Sequence, residues 1–329
     1  MPVFFAELGA IAYFILLPIL LMIGIGWIIQ RVVGLDMPTL TRLNFYVVVP
    51  GMIYFVLVTS ELDAGDIGVV VGFSLVAMTA WALVNLAVAA ARGVPPEQRR
   101  AMLMTSIFYN AGNYGLPLQE LAFRSAGLGA HAMGLQVFVM VVQNFTNFTL
   151  GILLAAGQVR DGQWKRNLLT ILRFPAIYAL AAAGVTIALR NALGGRAPEV
   201  AAALTPFWDT ILYVKDGFII LALATLGAQL ANVKPGHAHR YPVTTSVILR
   251  LLAGPAIGFL LIWLLGIQGL TAQVLLISTA TPTSVNCLLL CLQFNNHPDF
   301  VARSVFYSTI LSPITITLVI LLARSGVLG

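Results

Sequence analysis

Tyr109-Asn110-Ala111-Gly112-Asn113-Tyr114-Gly115-Leu116-Pro117-Leu118-Gln119-Glu120 stands in the middle of an otherwise apolar run from about Ala101 to Phe123. The run is long enough to cross a bilayer, for which a helix needs roughly 20 mostly apolar residues. Its centre nevertheless holds two asparagines, two glycines, a proline and a glutamate. Pro117 removes a backbone donor and crowds the preceding turn, while Gly112 and Gly115 admit backbone conformations that other residues avoid. In hydrocarbon an unpaired backbone group costs several kcal/mol, so a broken helix persists only where protein, water or a ligand satisfies it. The stretch therefore predicts a break beside a cavity, where a lone proline would predict only a packed kink. A second interruption, Ser278-Thr279-Ala280-Thr281-Pro282-Thr283-Ser284-Val285-Asn286, lies in the middle of the run from Leu270 to Phe294. Two interrupted spans at matching positions of two halves point to a transporter binding site.

The rest of the chain agrees with a membrane setting. Of its 329 residues 59% are hydrophobic and 9% charged, and mean hydropathy is +0.94, far from the balance of a water-soluble domain. The expected fold class is an all-α polytopic membrane protein with ten spans, at about 8 to 29, 40 to 59, 67 to 91, 101 to 123, 131 to 156, 168 to 190, 209 to 231, 243 to 266, 270 to 294 and 302 to 323. Connectors are short, and none is large enough for a soluble module. No basic residue precedes the first apolar run, unlike a secretory signal, so that run is expected to stay as the first span.

The basic residues carry a topology signal. Loops after the odd-numbered spans hold twelve of the eighteen Lys and Arg residues, including Arg31, Arg92, Arg99, Arg100, Arg160, Lys165, Arg166, Arg173 and Lys234, whereas the loop with Glu61, Asp63 and Asp66 holds none. By the positive-inside rule both termini lie outside the cell membrane, and the net charge of +6 reports orientation and not a nucleic-acid partner. Cys287 and Cys291, the only cysteines, are four apart on one span and read as small buried side chains. None of Lys165, Lys215 and Lys234 follows a glycine, so no Walker A loop is present. His131, His237, His239 and His297 form no HExxH, and His237 with His239 reads as a solvated loop. Neither enzyme chemistry nor a cofactor is indicated.

With both termini outside, the spans divide into five plus five, and an odd number per half inverts the second half. Residues 137 to 155 align without gaps on 305 to 323, so that Pro117 and Pro282 fall on equivalent spans. The expected halves are 1–160 and 161–329. Gln143, Asn144 and Asn147 lie one turn apart on the fifth span, with Gln143 and Asn147 on one face. Such amides serve either as interhelical glue or as ligand contacts. Asn44 and Pro50 read as packing residues. Lys215 on the seventh span is expected to pair with a nearby acid or reach the outer face, and Arg250 to reach the inner face along its own stem.

The Asn110 to Leu118 string, the Thr225-Leu226-Gly227-Ala228-Gln229-Leu230 end of span seven and Phe294-Asn295-Asn296-His297-Pro298-Asp299 resemble the auxin efflux carrier family, which includes bacterial malonate or malate permeases and plant PIN-type exporters. The resemblance spans essentially the whole chain and is strongest from Ala280 to Asp299. It implies an elevator-type transporter with spans one, two, six and seven as scaffold and homodimer contact, and spans three to five and eight to ten as the moving domain. It also implies ligand contacts from Asn113 and Gln143. The chain departs from plant members in lacking a long loop between spans five and six, and in placing Asn286 where they have an apolar residue. A sodium-coupled symporter of the bile-acid type shares the architecture but would not explain His297-Pro298-Asp299. A non-transporting membrane receptor competes with the carrier reading, and a channel ranks third.

A helix broken at Pro117 or Pro282 leaves a second half whose N-terminal end carries roughly half a positive charge. Two such ends in one cavity would favour a small organic anion, a carboxylate. The expected substrate site comprises Asn110, Asn113, Gly115, Pro117, Gln143, Asn147, Thr281, Pro282, Thr283 and Asn286. Glu120 and Asp216 are candidates for H+ or Na+ coupling, although Glu120 could instead pair with Arg124 one turn on.

Overall fold

The computed structural model describes residues 2–60, 62–157, 175–194, 203–233 and 240–328. Glu61, Arg160, Lys165, Arg166, Arg173, Arg196, Lys234, His237 and His239 lie outside the described residues. Among those described, eight helices are long and apolar enough to cross a membrane: α1 Phe5–Val32, α2 Met37–Thr59, α3 Ala64–Ala91, α6 Gly129–Ala156, α7 Pro175–Leu193, α8 Thr205–Ala231, α9 Pro242–Leu264 and α12 Pro298–Arg324. In place of the expected fourth and ninth spans stand two pairs of short helices, α4 Pro96–Ile107 with α5 Gly115–Phe123 and α10 Gly269–Thr279 with α11 Val285–Gln293.

The helix ends follow local chemistry. The Asp36 carboxylate accepts from Thr39 N–H at the start of α2, and that of Asp63 from Asp66 N–H at 2.7 Å at the start of α3, each satisfying an amide that the first turn leaves free. α3 stops at Arg92-Gly93, where Gly93 adopts φ +62° and Val94 N–H returns to Ala89 C=O, a geometry that glycine reaches without steric cost. Pro18, Pro50 and Pro255 sit inside long helices, and each follows a five-residue π turn, at Ala12–Leu16, Asn44–Val48 and Leu249–Ala253. A proline interior to a helix lacks its donor and crowds the carbonyl four residues back, and the wider turn relieves that crowding.

One group of contacts joins α1, α2, α7 and α8. α1 crosses α8 at Gly26 and Gly227, where an added Cβ would stand 2.1 Å from Ala224 C=O and 1.9 Å from Ile23 C=O respectively. Only glycine permits backbones to approach so closely, and this is how membrane helices without a hydrophobic driving force gain dispersion contact. α2 packs on α7 and α8. A second group joins α3, α6 and α9 to the short helices and α12. Outward faces remain apolar, as at Phe14, Leu21 and Ile28 of α1 and Tyr178, Val185 and Leu189 of α7. Cys287 and Cys291 are free and buried, as expected.

Two expectations are corrected. The first break covers Phe108 to Tyr114 and precedes Pro117, which lies in the first turn of α5; N–H groups there have no helical partner, so a proline fits without loss. Arg250 does not reach the inner face. It is 1% exposed and held in the centre of the fold.

Candidate functional site

The two breaks meet. Asn110 N–H donates to Pro282 C=O at 2.8 Å, Ser284 N–H to Phe108 C=O at 3.0 Å, and Tyr109 pairs with Thr283 as an isolated antiparallel bridge. The Thr283 hydroxyl donates to Thr105 C=O at 2.9 Å. The backbone groups released by the interruptions thus find partners in each other, which is the condition for irregular chain at membrane depth.

Side chains complete the satisfaction. Gln143 of α6 accepts from Tyr109 N–H at 3.4 Å and donates to Ile107 C=O at 3.3 Å. Gln136, two turns earlier on α6, donates to Ala111 C=O at 3.0 Å and accepts from Gln119, which also donates to Val274 C=O of α10 at 2.9 Å. Gly115 leaves room for this bracing: a Cβ would stand 2.5 Å from Gln136 Nε2. From α12, the Ser308 hydroxyl accepts from Thr283 N–H at 3.1 Å and the Ser312 hydroxyl donates to Tyr114 Oη at 3.2 Å.

Beside the crossing lies a cavity of about 340 Å³ lined from α2, the first break, α6, α8 and α11. Asn110, Asn113, Gln143, Asn147 and Asn286 all line it. So do Asn44, Asn144, Thr225 and Gln229, together with Arg42. Among the described residues of the lining Arg42 is the one charged side chain, and no carboxylate faces the cavity. Asn44 and Asn147 both sit in π turns, the local widening seen where helices present functional groups. Asn113 accepts from Asn44 Nδ2 at 3.3 Å, and Asn286 donates to Asn144 Oδ1 at 3.4 Å. Four buried polar atoms on lining residues have no hydrogen-bond partner: Asn44 Oδ1, Asn147 Oδ1, Thr225 Oγ1 and Gln229 Oε1. A buried polar group left unpaired costs about 1–3 kcal/mol. The starts of both second half-helices also border the cavity, through Asn113 and Leu116 at α5 and Ser284, Val285 and Asn286 at α11.

Other expected site residues take different places. Thr281, Pro282 and Thr283 form the second break itself, with Thr281 Oγ1 donating to Ser278 C=O at 2.7 Å. Gly115 and Pro117 are buried in the first turn of α5. Glu120 lies 3.6 Å from Arg124 Nε, away from the cavity. Asp216 pairs with Lys215 at 3.2 Å and is largely exposed. Asn44, read from sequence as a packing residue, belongs to the wall, as do Thr225 and Gln229 of the Thr225 to Leu230 string; a pair of polar side chains one turn apart in an apolar helix was the available signal.

A family model described as "Membrane transport protein", that of the auxin-efflux-carrier-like family, matches residues 167–320. The chain is also 24% identical over 311 residues, covering 92% of this chain and 95% of that protein, to an "Uncharacterized transporter" of Methanothermobacter thermautotrophicus. With the helices described above, these define the class: a multi-pass membrane protein of transporter type. The Phe294 to Asp299 motif lies within the residues that the family model matches, and the Asn110 to Leu118 string precedes them.

Proposed function

We propose that this membrane transporter is a secondary carrier of a small organic anion, a carboxylate, working by elevator-type alternating access. The observation that carries the reading is the cavity at the meeting of the two breaks, lined by amides and one arginine, with no acidic side chain among the described residues. Its volume, about 340 Å³, suits a small molecule, since ligand pockets span roughly 300–1,000 Å³. Asn113 and Gln143 are offered as donors to the carboxylate, with Asn110, Asn147 and Asn286 completing the wall and Arg42 at its edge. The N-terminal ends of α5 and α11 add positive potential there.

In this reading each pair of short helices is one crossing, so the chain crosses ten times as two inverted five-helix repeats, with termini outside the cell membrane. The contact grouping supports a scaffold of α1, α2, α7 and α8 against a moving domain of the remaining helices; the scaffold is also the proposed homodimer contact. The cavity lies between the two groups, with Asn44, Thr225 and Gln229 from one and Asn113, Asn147 and Asn286 from the other. Sliding one group past the other would carry the ligand.

Counterflow in proteoliposomes tests the reading. With unlabelled mono- or dicarboxylate inside, labelled substrate should accumulate transiently and saturably. Accumulation that is absent for every carboxylate tried, in protein whose melting temperature those carboxylates do raise, would make the chain a receptor.

A further inference from the structure

Among the described residues Arg250 is the largest of the fully buried side chains. It stands in the π turn Leu249–Ala253 of α9. Its Nη1 donates to Ser106 C=O at 2.8 Å, and its Nη2 donates to Thr279 C=O. Ser106 belongs to the last turn of α4, and Thr279 is the last residue of α10. One guanidinium therefore joins the C-terminal ends of both first half-helices. Its Cζ lies 4.8 Å from the Trp81 ring centroid and 4.9 Å from that of Tyr109. The surroundings are built around it: Trp81 Nε1 donates to Gly254 C=O at 3.2 Å, and a Cβ on Gly254 would stand 2.7 Å from Arg250 Nη2.

Among the described residues no carboxylate partners this buried charge. A buried ion requires compensation, and here the helix ends provide it. Each C-terminal end carries roughly half a negative charge on its unpaired carbonyls, so two ends match one guanidinium. Converging carbonyls at half-helix C-termini are also how transporters bind Na+. We propose that Arg250 is a tethered internal cation: a positioning residue that holds the two half-helix ends together and occupies the place a free metal cation would take at the crossing. The negative ends are thereby neutralised permanently, while the starts of α5 and α11 border the cavity. Substrate exchange accordingly needs no monovalent metal ion at this place.

Binding tests the tethered cation without any assumption about transport. Purified Arg250→Ala should melt below the parent, and guanidinium chloride at low millimolar concentration should restore it saturably by about 3 °C or more, while equal urea does nothing and the parent shows no rise. Arg250→Met, which fills the space without a charge, should be unstable and unresponsive. Equal responses of Arg250→Ala and the parent to guanidinium would overturn the proposal. Should Arg250→Ala yield no folded protein, the parent decides: equal melting temperatures in sodium and choline chloride support the proposal, and a saturable sodium-specific rise overturns it. A further arm rests on the carrier reading, and predicts counterflow within about twofold in the two salts. Failure of counterflow with every substrate would count against that reading and leave the melting result standing.

Discussion

The two breaks solve one problem by different means. The first, Phe108 to Tyr114, is held by amide side chains from a neighbouring helix: Gln143 brackets it at Ile107 and Tyr109, and Gln136 takes Ala111 C=O. The second, Ala280 to Ser284, is held largely by its own hydroxyls: Thr281 returns to Ser278 C=O, Ser284 accepts from Asn286 N–H at 3.2 Å, and Thr283 reaches across to Thr105 C=O. The difference follows from residue type. Threonine and serine are short enough to bond backbone one turn away, whereas Asn113 of the first break turns its side chain outward to Asn44. The first break is accordingly the one that depends on α6, and it is also the one whose asparagines are left to face the cavity.

The contrast is broken most severely at Gln136. Gln136→Leu roughly keeps the volume but strands the buried Ala111 C=O, at about 1–3 kcal/mol, and takes from the Gln119 amide one of its two acceptors, leaving Val274 C=O. A large fall in melting temperature is expected, with loss of ligand-induced stabilisation. A fall of under a degree would mean that the first break does not rely on α6.

Asn113→Ala probes the cavity face of the same break. Asn113 is half-buried, and its one described bond, to Asn44, is long at 3.3 Å, so the fold should tolerate the change. Carboxylate affinity should fall roughly ten- to a hundredfold, corresponding to about 1.5–3 kcal/mol for a hydrogen bond to a charged group. Isothermal titration of parent and variant checks this, and equal affinities would remove Asn113 from the site. Gln143 gives a less clean test, because both ends of its amide are already engaged with backbone.

Thr283→Val should have the smallest effect. It removes the hydroxyl that reaches Thr105 C=O but leaves the bridge to Tyr109 and the Ser308 contact to Thr283 N–H. About 1 kcal/mol of stability should be lost, read as a modest drop in melting temperature with ligand affinity unchanged. A loss as large as that of Gln136→Leu would show that the second break leans on the first as heavily as the first leans on α6.

Much of the site is legible in the residues because membranes punish irregular backbone. Gly112, Pro117 and Pro282 in apolar runs announce two interruptions, and Asn113, Gln143 and Asn286 are marked by amides at membrane depth. On which side of the break Pro117 sits is not legible, since a proline ends a helix from one side and begins one equally well from the other. Glu120 and Asp216 draw attention as charges in apolar surroundings, and the structure pairs each with a basic residue near it in sequence, Arg124 and Lys215.

Hydropathy and the position of helix breakers are local properties, so the order of residues is enough to establish that this chain is helical, membrane-embedded and interrupted twice. Which groups meet across more than 100 residues is not local. The pairing of Asn110 with Pro282, the arrival of Asn44, Thr225 and Gln229 at the same cavity, and the burial of Arg250 between two helix ends depend on how the helices pack. The physical reason is that a long polar side chain in an apolar helix can be satisfied either by reaching water along its stem or by finding carbonyls inside the fold. Residue type and spacing are the same in both cases. Only the packing of α9 against α3, α4 and α10 puts two unpaired helix ends within reach of one guanidinium.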